Sequence, residues 1–355
     1  MSKHMFAGAN TPEGFCNNFE HILPFDTAQK TICLKGGSGT GKSTFMKKTA
    51  NFFKEKGHTV EYIHCSNDAE SLDAVVIKDL GISVLDGTAP HVRDPIAPIA
   101  IDKILNFADF IDESSIKKHK EELRGLLQQK NQFFDKGYNY LNAAYKVYLN
   151  NSYIYNMSLS RAKLNKKILE LTDIFKFAAP KEKQAKNRKL FASAISPDGL
   201  KNYINTVIDT KNVYILEGHN GTGTDILLSK IQSEANLRGL DTESFYCSLN
   251  PNKPEHLIIP KLDTSFVTSN SYHKIELQNA QTINFNHFTD NNLLSSFEEE
   301  LKYNYKIFDE LLQKAMDTMA ASKTIHDKIE KIYIAAMDFT KLDEIFESTV
   351  SYLCD

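Results

Sequence analysis

The chain repeats itself, and the repeat constrains everything else about it. A single ungapped shift of 182 positions lays Gly36, Gly39, Thr40 and Gly41 over Gly218, Gly221, Thr222 and Gly223. The same shift carries Lys48 to Lys230, Gly57 to Gly239, Glu61 to Glu243, Cys65-Ser66 to Cys247-Ser248, Ile77 to Ile259, Leu80 to Leu262 and His91 to His273. Upstream, residues 5–14 echo 190–199 at an offset of 185; downstream, Asn106-Phe107 and Phe110 match Asn284-Phe285 and Phe288 at 178. A chain of 355 residues built this way is expected to form two like domains, 1–180 and 181–355, with the seam in the polar stretch 180–189.

Each half carries the same signals in the same order. Thr11-Pro12 and Ser196-Pro197 read as a helix N-cap followed by proline at the first helical position, predicting short helices over 14–23 and 199–208. An apolar run (31–34 in the first half), a glycine-rich loop and a helix ending near Gly57 or Gly239 come next. Apolar runs at 60–64, 74–77 and 82–85, with 243–246 in the second half, read as strands. Strands alternating with helices imply an α/β fold with mainly parallel sheets whose carboxyl-edge loops build the site.

Beyond residue 100 the period changes to three and four, with almost no proline or glycine, so 101–177 and 291–353 are expected to form helical arms. Phe133, Phe134, Tyr138, Leu141, Tyr145 and Tyr148 form one apolar stripe; Phe297, Leu301, Tyr305, Phe308, Leu312 and Met316 form another. Such stripes are expected to be the core side of a helical pair packed on its own domain. The arms differ in charge: residues 114–189 hold seventeen Lys and Arg against six Asp and Glu, whereas 290–355 hold seven against fourteen. That difference permits the arms to attract each other, or the basic arm to hold an acidic partner such as RNA. No RNP, KH or zinc-finger pattern accompanies it, so a nucleic-acid partner rests on charge alone.

The first loop is Lys35-Gly36-Gly37-Ser38-Gly39-Thr40-Gly41-Lys42-Ser43-Thr44. Its spacing, Gly36-x4-Gly41-Lys42-Ser43, is that of a P-loop, and each residue type has a reason. Glycines let successive backbone N–H groups approach a phosphate at a helix start. Lys42 would reach the β- and γ-phosphates of ATP, and Ser43 would ligate Mg²⁺. Asp86, at the end of an apolar strand, stands where a carboxylate orients the Mg²⁺ shell through water; Asp73 is a weaker candidate. His91 is expected at the same sheet edge as a packing histidine or, second, a phosphate contact, and Arg93 is considered as a finger in cis.

In the second loop, 218–225, the lysine position holds Thr224 and the metal position Asp225, while Asp86 becomes Thr268. A lost charged hydrogen bond costs about 1.5–3 kcal/mol. A carboxylate some 4 Å from phosphate adds repulsion of up to about 4 kcal/mol at an effective dielectric near 20. The second half is therefore read as a degenerate domain.

The double Phe-Ala-x-Ala-x-[Ser/Thr]-Pro-[Asp/Glu]-Gly, with the loop at 35–44, His64-Cys65-Ser66 and Leu85-Asp86-Gly87-Thr88-Ala89-Pro90-His91, resembles a family of bacterial tandem P-loop ATPase-like proteins. The resemblance covers nearly the full chain and implies two tandem P-loop NTPase-like domains. Both loops are commonly intact in that family; Thr224 and Asp225 depart from it, so Gly36, Gly41, Lys42, Ser43 and Asp86 are the residues that carry over.

With 41% hydrophobic and 25% charged residues, no bilayer-length apolar run and no apolar leader after Met1, the chain is expected to be cytoplasmic and free of membrane. Its five scattered cysteines make no CxxC pair, which argues against a disulfide framework or a zinc site. The expected function is ATP binding with slow or partner-regulated Mg²⁺-dependent hydrolysis at the first loop only. The alternatives are a kinase for a nucleotide or other small molecule, with the arms as a lid, and a nucleotide-responsive scaffold without turnover.

Overall fold

The computed structural model describes residues 2–90, 92–176, 178, 182–275, 277 and 279–355. The first half runs β1 (Lys3–Phe6), β2 (Gly8–Thr11), β3 (Gly14–Asn17), β4 (Lys30–Lys35), α1 (Lys42–Glu55), β5 (Val60–His64), β6 (Leu72–Ile77), β7 (Ile82–Asp86) and β8 (Asp102–Asn106). It continues with α2 (Glu113–Lys118), α3 (Lys120–Ser158) and α4 (Arg161–Thr172). The second half runs β9 (Asn187–Leu190), β10 (Ser193–Ser196), β11 (Gly199–Asn202), α5 (Ile204–Val207), β12 (Asn212–Glu217), α6 (Thr224–Leu237), β13 (Thr242–Cys247), β14 (Asn250–Ile259), β15 (Thr264–Ser269) and β16 (Gln281–Asn284). It ends with α7 (Asn291–Ser296), α8 (Glu298–Ala320), α9 (Lys323–Ala336) and α10 (Thr340–Cys354).

Each half builds a six-stranded mixed sheet, mostly parallel, in the orders β1-β5-β6-β7-β4-β8 and β9-β13-β14-β15-β12-β16. Strand for strand these are the same sheet. β6 and β14 are the members antiparallel to both neighbours, and the register repeats, with Leu34 opposite Asp86 and Leu216 opposite Thr268. The runs at 74–77 and 82–85 are buried throughout β6 and almost throughout β7. A strand covered on both faces reads as a continuous apolar run rather than an alternating one.

Two expectations about local structure are corrected. Thr11-Pro12 and Ser196-Pro197 do not start helices; each turns a hairpin, β2–β3 and β10–β11. The Thr11 hydroxyl accepts from Glu13 N at 3.2 Å and donates to Gly14 O at 2.7 Å, and Ser196 Oγ accepts from Asp198 N at 3.2 Å. A hydroxyl accepting from the N–H two residues on serves a turn as well as a helix cap, and Gly14 at φ +108° sends the chain back. The region from 101 also begins as a strand, β8, followed by a 3-10 turn at Phe107–Phe110, and its α-helices start only at Glu113.

The two halves face each other across a pseudo-twofold axis. Phe6 and Phe191, equivalent residues, exchange N–H···O bonds of 2.8 and 2.9 Å. The arms then cross. The apolar stripes of α3 and α8 merge in one core around Leu141, Ala144, Phe308, Leu312 and Ala315. Past that core each arm joins the opposite sheet: Leu342 and Leu353 of α10 pack with Ile32 and Phe45 of the first half, and Leu164 and Leu171 of α4 pack with Leu216 and Leu227 of the second. The crossing is reciprocal, since Asp112 N donates to Ala336 O and Asp290 N to Ser158 O, both at 2.8 Å. The expectation of arms packed on their own halves is thus corrected: the stripe specifies an apolar face and leaves its partner open. Packing crosses the 180/181 boundary, and basic and acidic arms lie side by side.

Candidate functional site

β4 lies between β7 and β8, so the loop after Lys35 emerges at the carboxyl edge of the sheet beside the end of β7. Gly39 and Gly41 take φ of +75° and +89°, conformations that a side chain disfavours. Gly41 is the N-cap of α1 and no side chain caps the helix. The first-turn N–H groups of Lys42, Ser43 and Thr44 thus have no intrahelical partner, and these residues line a cavity of about 520 Å³. Gly36, Ser38, Gly39, Thr40 and Gly41 line it too, as do Asp73 and Asp86.

Lys42 is 9% exposed and folds back over the loop. Its ammonium donates to Gly36 O at 2.7 Å and Gly37 O at 2.8 Å and stands 3.5 Å from Asp86 Oδ2. Burial lowers its pKa, opposed by Asp86, Asp73 and Glu330 in decreasing order. Asp86 Oδ1 accepts from Thr88 N at 2.8 Å, and the Thr88 hydroxyl lies 3.2 Å from Gly36 N and 3.0 Å from Gly36 O, tying the end of β7 to the loop. Ser43 Oγ accepts from Leu72 N at 3.0 Å, which leaves it a second lone pair.

The loop is roofed by the other half. A Cβ on Gly37 would fall 2.9 Å from the ring of Tyr333, one on Gly39 2.9 Å from Glu330 O, and one on Gly41 3.1 Å from Leu342. Farther along the roof, Lys130 of α3 meets His326 of α9, with Nζ 3.0 Å from Nδ1, and His326 Nε2 faces Glu330 Oε1 at 3.5 Å. An ammonium only donates, so Nδ1 accepts and the imidazole proton sits on Nε2, toward the carboxylate. Burial lowers the Lys130 pKa.

The second loop keeps the backbone and differs in its side chains. Gly221 and Gly223 take φ of +92° and +94°, and Thr222 Oγ1 donates to His219 O as Thr40 Oγ1 does to Gly37 O. Its roof is the equivalent one, with Ser152 O against Gly221 and Leu164 against Gly223. His219, where the first loop has Gly37, stacks on Tyr155 at 4.7 Å, and its Nδ1 lies 3.1 Å from Tyr305 Oη. Lys253 reaches Asn220 and Tyr148 from β14.

Of the remaining expected contacts, His91 lies outside the described residues. The Arg93 side chain turns away from the loop, although its carbonyl accepts from Lys35 Nζ at 3.3 Å: the guanidinium donates to Phe19 O at 3.2 Å and lines a separate cavity of about 1310 Å³ between the halves, beside Arg188. Sequence reasoning passed over Lys130, His326 and Glu330. The signal was present, because the 178 offset sets them against Phe308, Tyr148 and Ser152.

Among the described residues no group of three or more His, Cys, Asp or Glu side chains is placed to hold a metal ion, and no helix is long and apolar enough to cross a membrane. Comparison of the chain with protein-family models, curated proteins and solved structures yields no match.

Proposed function

We propose that the chain is a P-loop protein of the tandem ATPase-like kind, binding ATP at its first loop and hydrolysing it slowly or under a partner's control. The observation that carries this is the convergence of Lys42, Ser43 and Asp86 on one roofed cavity, set against a second loop whose mouth is occupied by His219, Tyr155 and Tyr305. In this reading the N–H groups at the start of α1 receive the phosphates. Lys42 exchanges its bonds to Gly36 O and Gly37 O for phosphate oxygens, a replacement that relieves a buried ammonium. Asp86, held by Thr88 N, keeps Lys42 oriented. Mg²⁺, when bound, would neutralise charge on the β- and γ-phosphates, with the free Ser43 lone pair and, through water, Asp86 to hold it. That sparse donor set fits an ion shared with phosphates rather than an all-protein cage.

The seating of α9 on the loop couples the arms to whatever the loop binds, which keeps a nucleotide-responsive scaffold without turnover as the second reading. Titration with labelled ATP tests the site. Lys42→Ala is expected to abolish binding and Asp225→Ala to change it little. Normal ATP binding by the Lys42→Ala protein would overturn the proposal.

A further inference from the structure

The roof of the first cavity carries charged side chains where its own duplicate carries rings and a serine. α3 spans residues 120–158 and α8 with α9 spans 298–336, an offset of 178 that holds through both crossings. At equivalent places the first site has Lys130, His326 and Glu330, and the second has Phe308, Tyr148 and Ser152. Over the loop that kept Lys42, Ser43 and Asp86 stands a hydrogen-bonded Lys–His pair backed by a carboxylate. Over the loop that lost them, the rings of Tyr148 and Phe308 pack at 5.9 Å instead. Backbone seating is the same in both, so packing alone does not require charge at these positions.

From this we infer that Lys130 binds the terminal phosphate of the nucleotide and that His326 and Glu330 are its positioning residues. The inference rests on the ATP site proposed above. Lys130, Lys42 and Glu330 line the same cavity, and the Glu330 carboxylate acts electrostatically on both ammonium groups. His326 Nδ1 is the hydrogen-bond partner of the Lys130 ammonium among the described residues, leaving two N–H bonds for a ligand. Asp68, Asp73, Asp86, Asp327 and Glu330 also line the cavity, so it suits an anion that arrives with a divalent cation rather than a bare polyphosphate. Because α3 belongs to the first half and α9 to the second, a γ-phosphate held by Lys130 draws the two arms and the loop together.

The test is calorimetric titration of the full chain with ATP and with ADP, both with Mg²⁺, plus phosphate release. Lys130→Met keeps an unbranched stem and removes the charge. It is expected to weaken ATP binding roughly ten- to a hundredfold, the range for losing one charged hydrogen bond, and to change ADP binding by less than about threefold. Lys130→Arg should restore most of the preference for ATP. His326→Ala, which leaves the ammonium in place but untethered, should give an intermediate loss confined to ATP, a pattern that general loosening of the arms would not produce. If Lys130→Met fails to fold, Lys130→Arg and His326→Ala decide the matter through the same ATP-to-ADP ratio. Unchanged ATP binding, or equal loss of ATP and ADP, overturns the role of Lys130 alone. Wild-type protein that binds neither nucleotide overturns the site reading itself.

Discussion

The crossed arms make Gly221 an unusually sharp probe of the fold. Its φ is +92°, and a Cβ there would sit 2.2 Å from Ser152 O and 3.0 Å from Ser152 C and Cα, all backbone atoms of α3. Alanine would meet two penalties. A left-handed backbone costs an L-residue about 1–2 kcal/mol, partly offset by about 0.4–1 kcal/mol from a stiffer unfolded chain. Forcing backbone apart in a packed seat adds about 1–3 kcal/mol. Gly57 supplies the control, because at φ +88° its Cβ would meet nothing within 4 Å, so Gly57→Ala carries the strain without the clash. Gly39, at φ +75° with its nearest neighbour Glu330 O at 2.9 Å, should fall between. Urea unfolding of the three variants is therefore expected to rank Gly221→Ala as most destabilised, then Gly39→Ala, then Gly57→Ala, with about 1–3 kcal/mol between the extremes. If Gly221→Ala and Gly57→Ala differ by less than about 0.5 kcal/mol, α3 is not seated on the second loop and the reciprocal crossing is wrong.

Two further outcomes follow from the hydrogen bonds of histidine. His64 Nδ1–H donates to Ala69 O at 2.7 Å, so its Nε2 accepts from His4 Nδ1–H at 2.8 Å, and protonation would set two donors face to face. Burial lowers the His64 pKa to about 4, below its value in the unfolded chain, so the folded state binds fewer protons. The associated stability is whole above about pH 6.5 and is lost as pH falls toward 4; the slope of unfolding free energy over that window should be shallower in His64→Gln than in wild type. Removing the stacked ring and its hydrogen bond in His219→Ala should cost about 2 kcal/mol in urea unfolding while leaving ATP titration unchanged, and weakened ATP binding there would mean that the second loop is not silent.

What could be read from the sequence was local or repeated. The apolar runs of β6 and β7, the loop between β4 and α1, and the glycines after α1 and α6 each carry their reason within a few residues. Thr11-Pro12-Glu13-Gly14 was misread because caps and turns use the same hydroxyl-to-amide bond, and only the strand on either side decides between them. The crossing of the arms has no local signal: Phe308 and Leu141 present an apolar face whatever covers it, and the partner lies on the other side of the pseudo-twofold axis. Lys130 and His326 sit 196 positions apart and show no motif in either segment; the 178 offset marks each as divergent, but their pairing appears only where the crossed arms bring α3 and α9 together.

The reciprocal crossing also accounts for why one loop can degenerate while its half persists. Loop 218–225 is dispensable for chemistry if Lys42, Ser43 and Asp86 act alone, but the arm that follows it is not dispensable. Tyr333, Glu330 and Leu342 of the second half roof the first loop, and Met337 and Leu353 complete the core around α1. Loss of the second half would strip that roof and expose an apolar face of the first sheet. At the second loop the Thr224 and Asp225 substitutions change side chains without touching the backbone seat that α3 and α4 need, and His219 fills the space against Tyr155. The features held in common between the halves are thus those of the exchange, and the features that diverge include those the proposed nucleotide site would use. The charged roof formed by Lys130 and His326 diverges together with Lys42, Ser43 and Asp86, which is the reason for proposing it as part of that site rather than of the fold.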